Sequence, residues 1–83
     1  MVLATKVKVK RIIEIEVEGL GEKIQKARKA SGETVENLAQ KAGISRPYWY
    51  DVEKEKLRDG LPEETLRNIE KALGQDLGVF FKD

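Results

Sequence analysis

The chain has 83 residues, of which 40% are hydrophobic and 37% are charged, so it can build one small core beneath a strongly solvated surface. It contains neither cysteine nor histidine, which excludes disulfides, metal sites built on those residues, and catalysis by a cysteine nucleophile or a histidine base. Sixteen Lys and Arg residues face fifteen Asp and Glu residues, so any nucleic-acid partner must be argued from local arrangement and not from net charge.

Other function classes are equally restricted by the sequence. No apolar run approaches the length of a membrane span and no secretion signal is present, so we expect a soluble cytoplasmic protein without a membrane partner. The carboxylates and lysines form no recognisable catalytic constellation. We therefore expect no enzymatic activity, no metal and no cofactor.

The segment from Lys6 to Glu18 alternates with a period of two, which is typical of a half-buried strand. Its odd positions are apolar except for Arg11, and its even positions run from three lysines through Ile12 to three glutamates. No Gly, Pro, Asn or Asp interrupts it, so it has no hairpin turn. Such a strand spans roughly 40 Å, whereas a compact globule of this size is about 30 Å across. The strand is therefore expected to pair outside its own subunit.

The segregation of charge selects one kind of pairing. When two copies pair antiparallel about a two-fold axis at Ile12, each lysine meets a glutamate on one face and apolar residues meet on the other. A parallel pair in register would stack like charges. We predict a homodimer in which residues 1–18 form the dimerisation strand, with ordinary surface alternation as the alternative. The residues predicted at the dimer interface are Lys6, Val7, Lys8, Val9, Lys10, Ile12, Ile13, Glu14, Ile15, Glu16, Val17 and Glu18.

Residues 19–83 have helical periodicity and are predicted to form the second unit. A first helix starts near Leu20 and ends at Gly32, and a second follows the N-cap Thr34 and ends at Gly43.

A third helix, over about 45–55, is capped by Ser45. A fourth helix has Pro62 in its first turn and ends at Gly74. The tail, 77–81, is predicted as a last helical turn, with a short strand as the alternative.

The string TVENLAQKAGISRPYWYDVEK, which begins at Thr34, has the features of two helices packed across a tight turn. Ala39 is small where the helices touch, and Gly43 can adopt the positive φ that the turn requires. Trp49 and Val52, three residues apart, face the first helix.

This string resembles the helix-turn-helix of the Cro/repressor class, the Xre-like family, and the resemblance covers roughly residues 20–81. It implies a mainly α, repressor-like bundle of four to five helices. It also implies a small dimeric transcriptional regulator that binds double-stranded DNA at a pseudopalindromic site, and an ion pair between Arg28 and Glu53. The residues at matching positions are Ala39, Gly43, Ile44, Ser45, Trp49, Val52 and Glu53.

In such a motif the second helix lies in the major groove. Arg46, at its start, has the donors to bind guanine O6 and N7 together, or else is a solvated helix-start residue. Tyr48 is expected either to pack in the core or to contact a phosphate. The free amides at the helix N-termini suit phosphates. The residues predicted to contact DNA are Thr34, Ser45, Arg46, Pro47, Tyr48, Tyr50, Asp51 and Lys54.

A protein-interaction module, antitoxin-like or adaptor-like, is the alternative function. It would use the same scaffold without specific DNA binding, through an unidentified protein partner. The balanced net charge, Val35 at the start of the second helix and Asp51 on the outward face favour this alternative. Specific DNA binding would weaken steeply with salt, which distinguishes the two.

Overall fold

A computed structural model describes residues 14–81 of the chain. These residues form four α-helices and no strand, which confirms a mainly helical fold. The helices are Leu20–Ser31 (α1), Val35–Ala42 (α2), Arg46–Glu53 (α3) and Glu63–Leu73 (α4). No helix in this part of the chain is both long enough and apolar enough to cross a membrane.

Most of the predicted dimerisation strand lies outside the described residues. Residues 14–17 have irregular backbone, and a turn at Glu18 and Gly19 leads into α1. Val17 is half-buried and packs against the core, while Glu14 and Glu16 are exposed. The predicted interface residues outside the described range are Lys6, Val7, Lys8, Val9, Lys10, Ile12 and Ile13.

Local signals set the limits of α2 and α3. The Thr34 hydroxyl accepts a hydrogen bond from the Asn37 amide at 3.1 Å, and the Ser45 hydroxyl accepts one from the Tyr48 amide at 3.2 Å. Each side chain thereby satisfies one of the amides that a helix N-terminus leaves without a partner. The sequence-predicted caps are therefore present in the structure.

The turn between α2 and α3 depends on Gly43, which has a φ of 72°. The Ile44 amide donates to the Ala39 carbonyl at 3.0 Å, closing a Schellman-type end around the glycine. A side chain at position 43 would strain this left-handed conformation. The chain therefore reverses within three residues, and α3 starts against α2.

The core lies between all four helices and the C-terminal tail. α2 packs most extensively against α4, and α1 and α2 both pack against α3. The largest side chains that are completely buried are Trp49, Ile24, Leu38 and Ile69. Ala39 and Ala42 are also buried, so small residues lie where α2 meets its neighbours.

The C-terminal tail differs from the predicted helical turn. Residues 77–81 form neither a helix nor a strand, and Gly78 has a φ of 77°. The Glu70 carboxylate accepts a hydrogen bond from the Leu77 amide at 2.7 Å. Leu77 and Val79 are buried in the core, whereas Phe80 is 72% exposed. Burial of Leu77 and Val79 and the hydrogen bond to Glu70 fasten the tail to α4.

Two helix limits also differ in detail. Pro62 is the N-cap of α4 and not a residue of its first turn, because its ψ of 143° is extended. α3 ends at Glu53, two residues before the predicted limit at 55. Glu55 there has a φ of 56°, a conformation that a helix cannot contain.

Candidate nucleic-acid interface

The helix α3 has two distinct faces. Trp49 is fully buried and Val52 is 3% exposed, and both point into the core. The opposite side, which we call the outer face, is exposed to solvent. Its residues are Arg46, Pro47, Tyr50, Asp51 and Lys54.

The N-terminal end of α3 combines a cap, a proline and a cation. Ser45 caps the helix, Arg46 is its first residue, and Pro47 follows within the first turn. Proline fits there because its missing amide hydrogen has no intrahelical acceptor at that position. The exposed Arg46 guanidinium stands at the end where the helix dipole is positive, and this end attracts anionic groups.

The two tyrosines of α3 occupy different environments. Tyr48 is half-buried and packs against the core, so much of its ring is committed to the fold. Tyr50 is 39% exposed and lies on the outer face. A phenol in this position has a hydroxyl that can donate or accept and a ring edge for apolar contact.

The charges around α3 are mixed. Lys41, in the last turn of α2, donates to the Glu33 carboxylate at 2.6 Å. Asp51 on α3 and Lys54, which directly follows the helix, are both exposed, so this surface carries charges of both signs. Lys56 and Arg58, in the following loop, are exposed as well. This surface therefore offers selected cationic groups and not a uniform positive field.

Behind the outer face, Glu53 gathers donors from two helices. Its carboxylate accepts from Arg28 Nε at 2.6 Å, from Arg28 Nη2 at 3.0 Å and from Trp49 Nε1 at 2.5 Å. The Glu53 side chain is only 4% exposed and that of Arg28 is 18% exposed. The hydrogen bond to Glu53 and the charge of its carboxylate raise the pKa of Arg28, against the opposing effect of burial. The structure thus brings together the two residues predicted as a structural ion pair.

A second contact fastens α1 to the end of α3. The Glu55 carboxylate accepts a hydrogen bond from the Gly21 amide at 3.0 Å, in the first turn of α1. A β-carbon at position 21 would overlap the Glu53 carbonyl oxygen, so only glycine fits there. This contact was not predicted from the sequence, although a glycine inside a helix is a signal of close backbone approach.

The pair of Arg67 and Glu70 was also not predicted from the sequence, and both side chains bind the backbone of the C-terminal tail. Arg67 Nη1 donates to the Glu70 carboxylate at 2.8 Å, and its Nη2 donates to the Val79 carbonyl at 2.8 Å. The hydrogen bond to Glu70 is the main cause that raises the pKa of Arg67. No signal in the sequence spacing connects α4 to a carbonyl in the tail.

Among residues 14–81, no group of acidic side chains is arranged to hold a metal ion. A scan of protein-family models, a search of curated proteins and a search of solved structures each find no match for the chain.

Proposed function

We propose that the protein is a small dimeric regulator of transcription that binds double-stranded DNA sequence-specifically, with α3 in the major groove. The observation that carries the proposal is the division of α3 into a buried face, with Trp49 and Val52, and an outer face that begins at Arg46. A helix supported from behind in this way can enter a groove without losing its own packing. The major groove of B-DNA is wide enough to admit one α-helix.

The support for base recognition comes from the chemistry of the outer face. Arg46 has the donor geometry for guanine O6 and N7, and Asp51 can accept from the cytosine amino group. Tyr50 can contact a base edge, a thymine methyl or a phosphate. Lys54, at the end of the helix, and the amides at the start of α2 and α3 suit the phosphate backbone.

A dimer suits this mode of recognition. Two α3 helices related by a two-fold axis would bind half-sites about 34 Å apart, or a multiple of that distance. The sign pattern of the N-terminal segment supports an antiparallel pair of subunits. Such a dimer would bind a pseudopalindromic site.

Selection of bound duplexes from a random pool, using the full chain, tests the proposal. We expect recovery of a palindromic sequence, and binding that falls by at least about tenfold between roughly 50 and 200 mM salt. Retention of no duplex at the lower salt concentration would contradict DNA binding.

The second candidate is a protein-interaction module that presents the same face to another protein. The ion pair between Lys41 and Glu33, and the carboxylate of Asp51 beside the exposed Tyr50, favour it because they reduce the positive field that DNA requires. Absence of duplex binding combined with an intact fold would favour this candidate.

A further inference from the structure

An open groove of about 550 Å³ lies where residues 15–17, the start of α1, the loop before α4 and the C-terminal tail meet. Most of the residues that line it are apolar, among them Val17, Leu20, Leu61 and Phe81, and two are acidic, Glu16 and Glu55. The groove is on a different part of the molecule from the outer face of α3. The buried core residues Val52, Leu66 and Val79 form part of its lining, and the proposed DNA contacts do not include it.

We propose that the N-terminal residues of a second copy of this chain occupy the groove, so that each subunit completes the other. The inference rests on the homodimer of the proposed function and not on DNA binding. Three features identify the second copy as the occupant of the groove. They are the register of the predicted ribbon, the length of chain that precedes the ribbon, and the charges on the other face of the ribbon.

The register brings apolar residues of the second copy to the groove. Antiparallel pairing about Ile12 sets Val17 opposite Val7 of the partner subunit, and Ile15 opposite Val9 of the partner subunit. Ile15 and Val17 both line the groove, and Glu16 between them also contributes to the lining. Directly opposed residues of an antiparallel pair project from the same face of the ribbon. The partner's Val7 and the partner's Val9 therefore project toward the groove beside them.

The residues that precede the ribbon add to the part of the second copy that can occupy the groove. The ribbon ends where Glu18 meets Lys6 of the partner subunit, because the chain turns at Gly19 and enters α1. Residues 1–5 of the second copy lie beyond that point, and these residues reach roughly 16 Å when extended. Their sequence, Met-Val-Leu-Ala-Thr, is mostly apolar. In the same register the partner's Leu3 shares a face with the partner's Val7 and lies beyond it in the direction of α1.

A second copy fits better than the subunit's own N-terminus. Residues 6–18 contain no Gly, Pro, Asn or Asp at which the chain would turn back. Glu14, Glu16 and Glu18 are exposed and form no ion pair with any other described residue. The ribbon register supplies each of them with a lysine from the second copy.

Cross-linking between two chains with different introduced cysteines tests the proposal. Because the chain has no native cysteine, only the introduced residues can react. We mix a full chain carrying L3C with a full chain carrying L61C, allow subunit exchange, and add a short bis-maleimide. We expect a covalent heterodimer, at about tenfold higher yield than in a matched mixture of L3C with K71C, since Lys71 is exposed on α4 away from the groove. Equal yields in the two mixtures would overturn the proposal.

The same reagent distinguishes the alternatives. A single chain carrying both L3C and L61C that cross-links only within itself would identify the subunit's own N-terminus as the occupant, and would overturn the proposal. Sedimentation adds a second readout. We expect L3D to raise the dimer dissociation constant about tenfold or more, while V2D on the opposite face changes it less than about threefold. A dimer unaffected by L3D overturns groove occupancy and leaves the ribbon intact, whereas a monomeric wild type at high micromolar concentration overturns both. Duplex selection reports on DNA binding separately.

Discussion

Trp49 and Glu53 lie one turn apart on α3, and the indole Nε1 donates to the Glu53 carboxylate at 2.5 Å. The same carboxylate holds the Arg28 guanidinium of α1 at 2.6 Å. One buried acid thus satisfies the polar atom of the largest core side chain and ties two helices together. Burial of the indole is possible because its single donor has this partner.

Removal of the Glu53 carboxylate is expected to destabilise the fold strongly. Glu53→Ala leaves the Arg28 charge and the Trp49 donor without partners, so the free energy of unfolding should fall by about 3 kcal/mol. Urea unfolding followed by tryptophan fluorescence measures it. Lys26→Ala is the control, because its pair with Glu22 has side chains that are 75% and 66% exposed, and its effect should stay within about 0.5 kcal/mol. Equal losses in both variants would contradict the role of Glu53.

The pKa of Arg28 predicts how this contact behaves with pH. Because the contact raises the pKa, its stabilisation is fully present below the ordinary pKa of arginine, and it is lost only as the pH rises through the still higher folded value. Between about pH 7 and 9 the contact should therefore add no pH dependence to stability. Urea unfolding of the wild type and of Glu53→Ala at several pH values checks this, because the difference between their free energies of unfolding should stay constant across this window. A difference that changes steeply between these pH values would contradict it.

Gly21→Ala should destabilise the protein, although the same change inside a helix ordinarily stabilises it. A β-carbon that overlaps the Glu53 carbonyl oxygen forces α1 away from α3 and strains the hydrogen bond to Glu55. We expect a loss of about 1–3 kcal/mol, where helix propensity alone gives a gain of about 1 kcal/mol. Thermal or urea unfolding gives the sign. Ala30→Gly, at an exposed position of the same helix, reports the ordinary propensity as a loss of about 1 kcal/mol, and a stabilised Gly21→Ala would refute the close approach.

The tail offers a pair of adjacent residues with opposite exposure. Val79 is 3% exposed, and its carbonyl accepts from Arg67, whereas Phe80 is 72% exposed. Val79→Ala should cost about 2 kcal/mol of unfolding free energy, because it leaves a cavity in the core. Phe80→Ala, although it removes a larger side chain, should change stability by less than about 0.5 kcal/mol. The reverse order in urea unfolding would mean that the tail does not pack as described.

Arg46→Ala is the sharpest test of base recognition once a bound duplex has been selected. The loss of two donors to guanine should cost about 1–3 kcal/mol of specific binding and relax the preference at one base pair in each half-site. Fluorescence anisotropy against single-base variants of the selected site measures both effects. Lys71→Ala, on α4, should change neither. An unchanged preference in Arg46→Ala would remove Arg46 from base recognition.

Much of the helical unit could be predicted because its signals are local. Thr34 and Ser45 cap α2 and α3 as expected, and the spacing of Trp49 and Val52 identifies the buried face of α3. The tail could not be predicted in the same way. Its path depends on Arg67 and Glu70, which bind its backbone across a distance in sequence that no periodicity reports.

The contacts around α1 were also hidden from sequence reasoning. The Glu55 carboxylate reaches Gly21 across 34 positions of the chain, and Glu55 adopts a positive φ that is uncommon for a residue with a side chain. Such a conformation follows from tertiary contacts and not from local preference. The DNA contacts of α3 and the pairing of the N-terminal strand stay predictions.

The hydrogen bond between Gly21 and Glu55 bears on the half-site spacing that the proposed dimer would bind. Because the first turn of α1 is fastened to the residues after α3, the start of α1 and the end of α3 are held together. In the proposed dimer, a shift of two residues in the pairing of the two N-terminal segments would displace one subunit relative to the other by about 6.6 Å, which is comparable to the rise of two base pairs. The order of residues in the N-terminal segment would thus decide which half-site spacing the proposed dimer accepts.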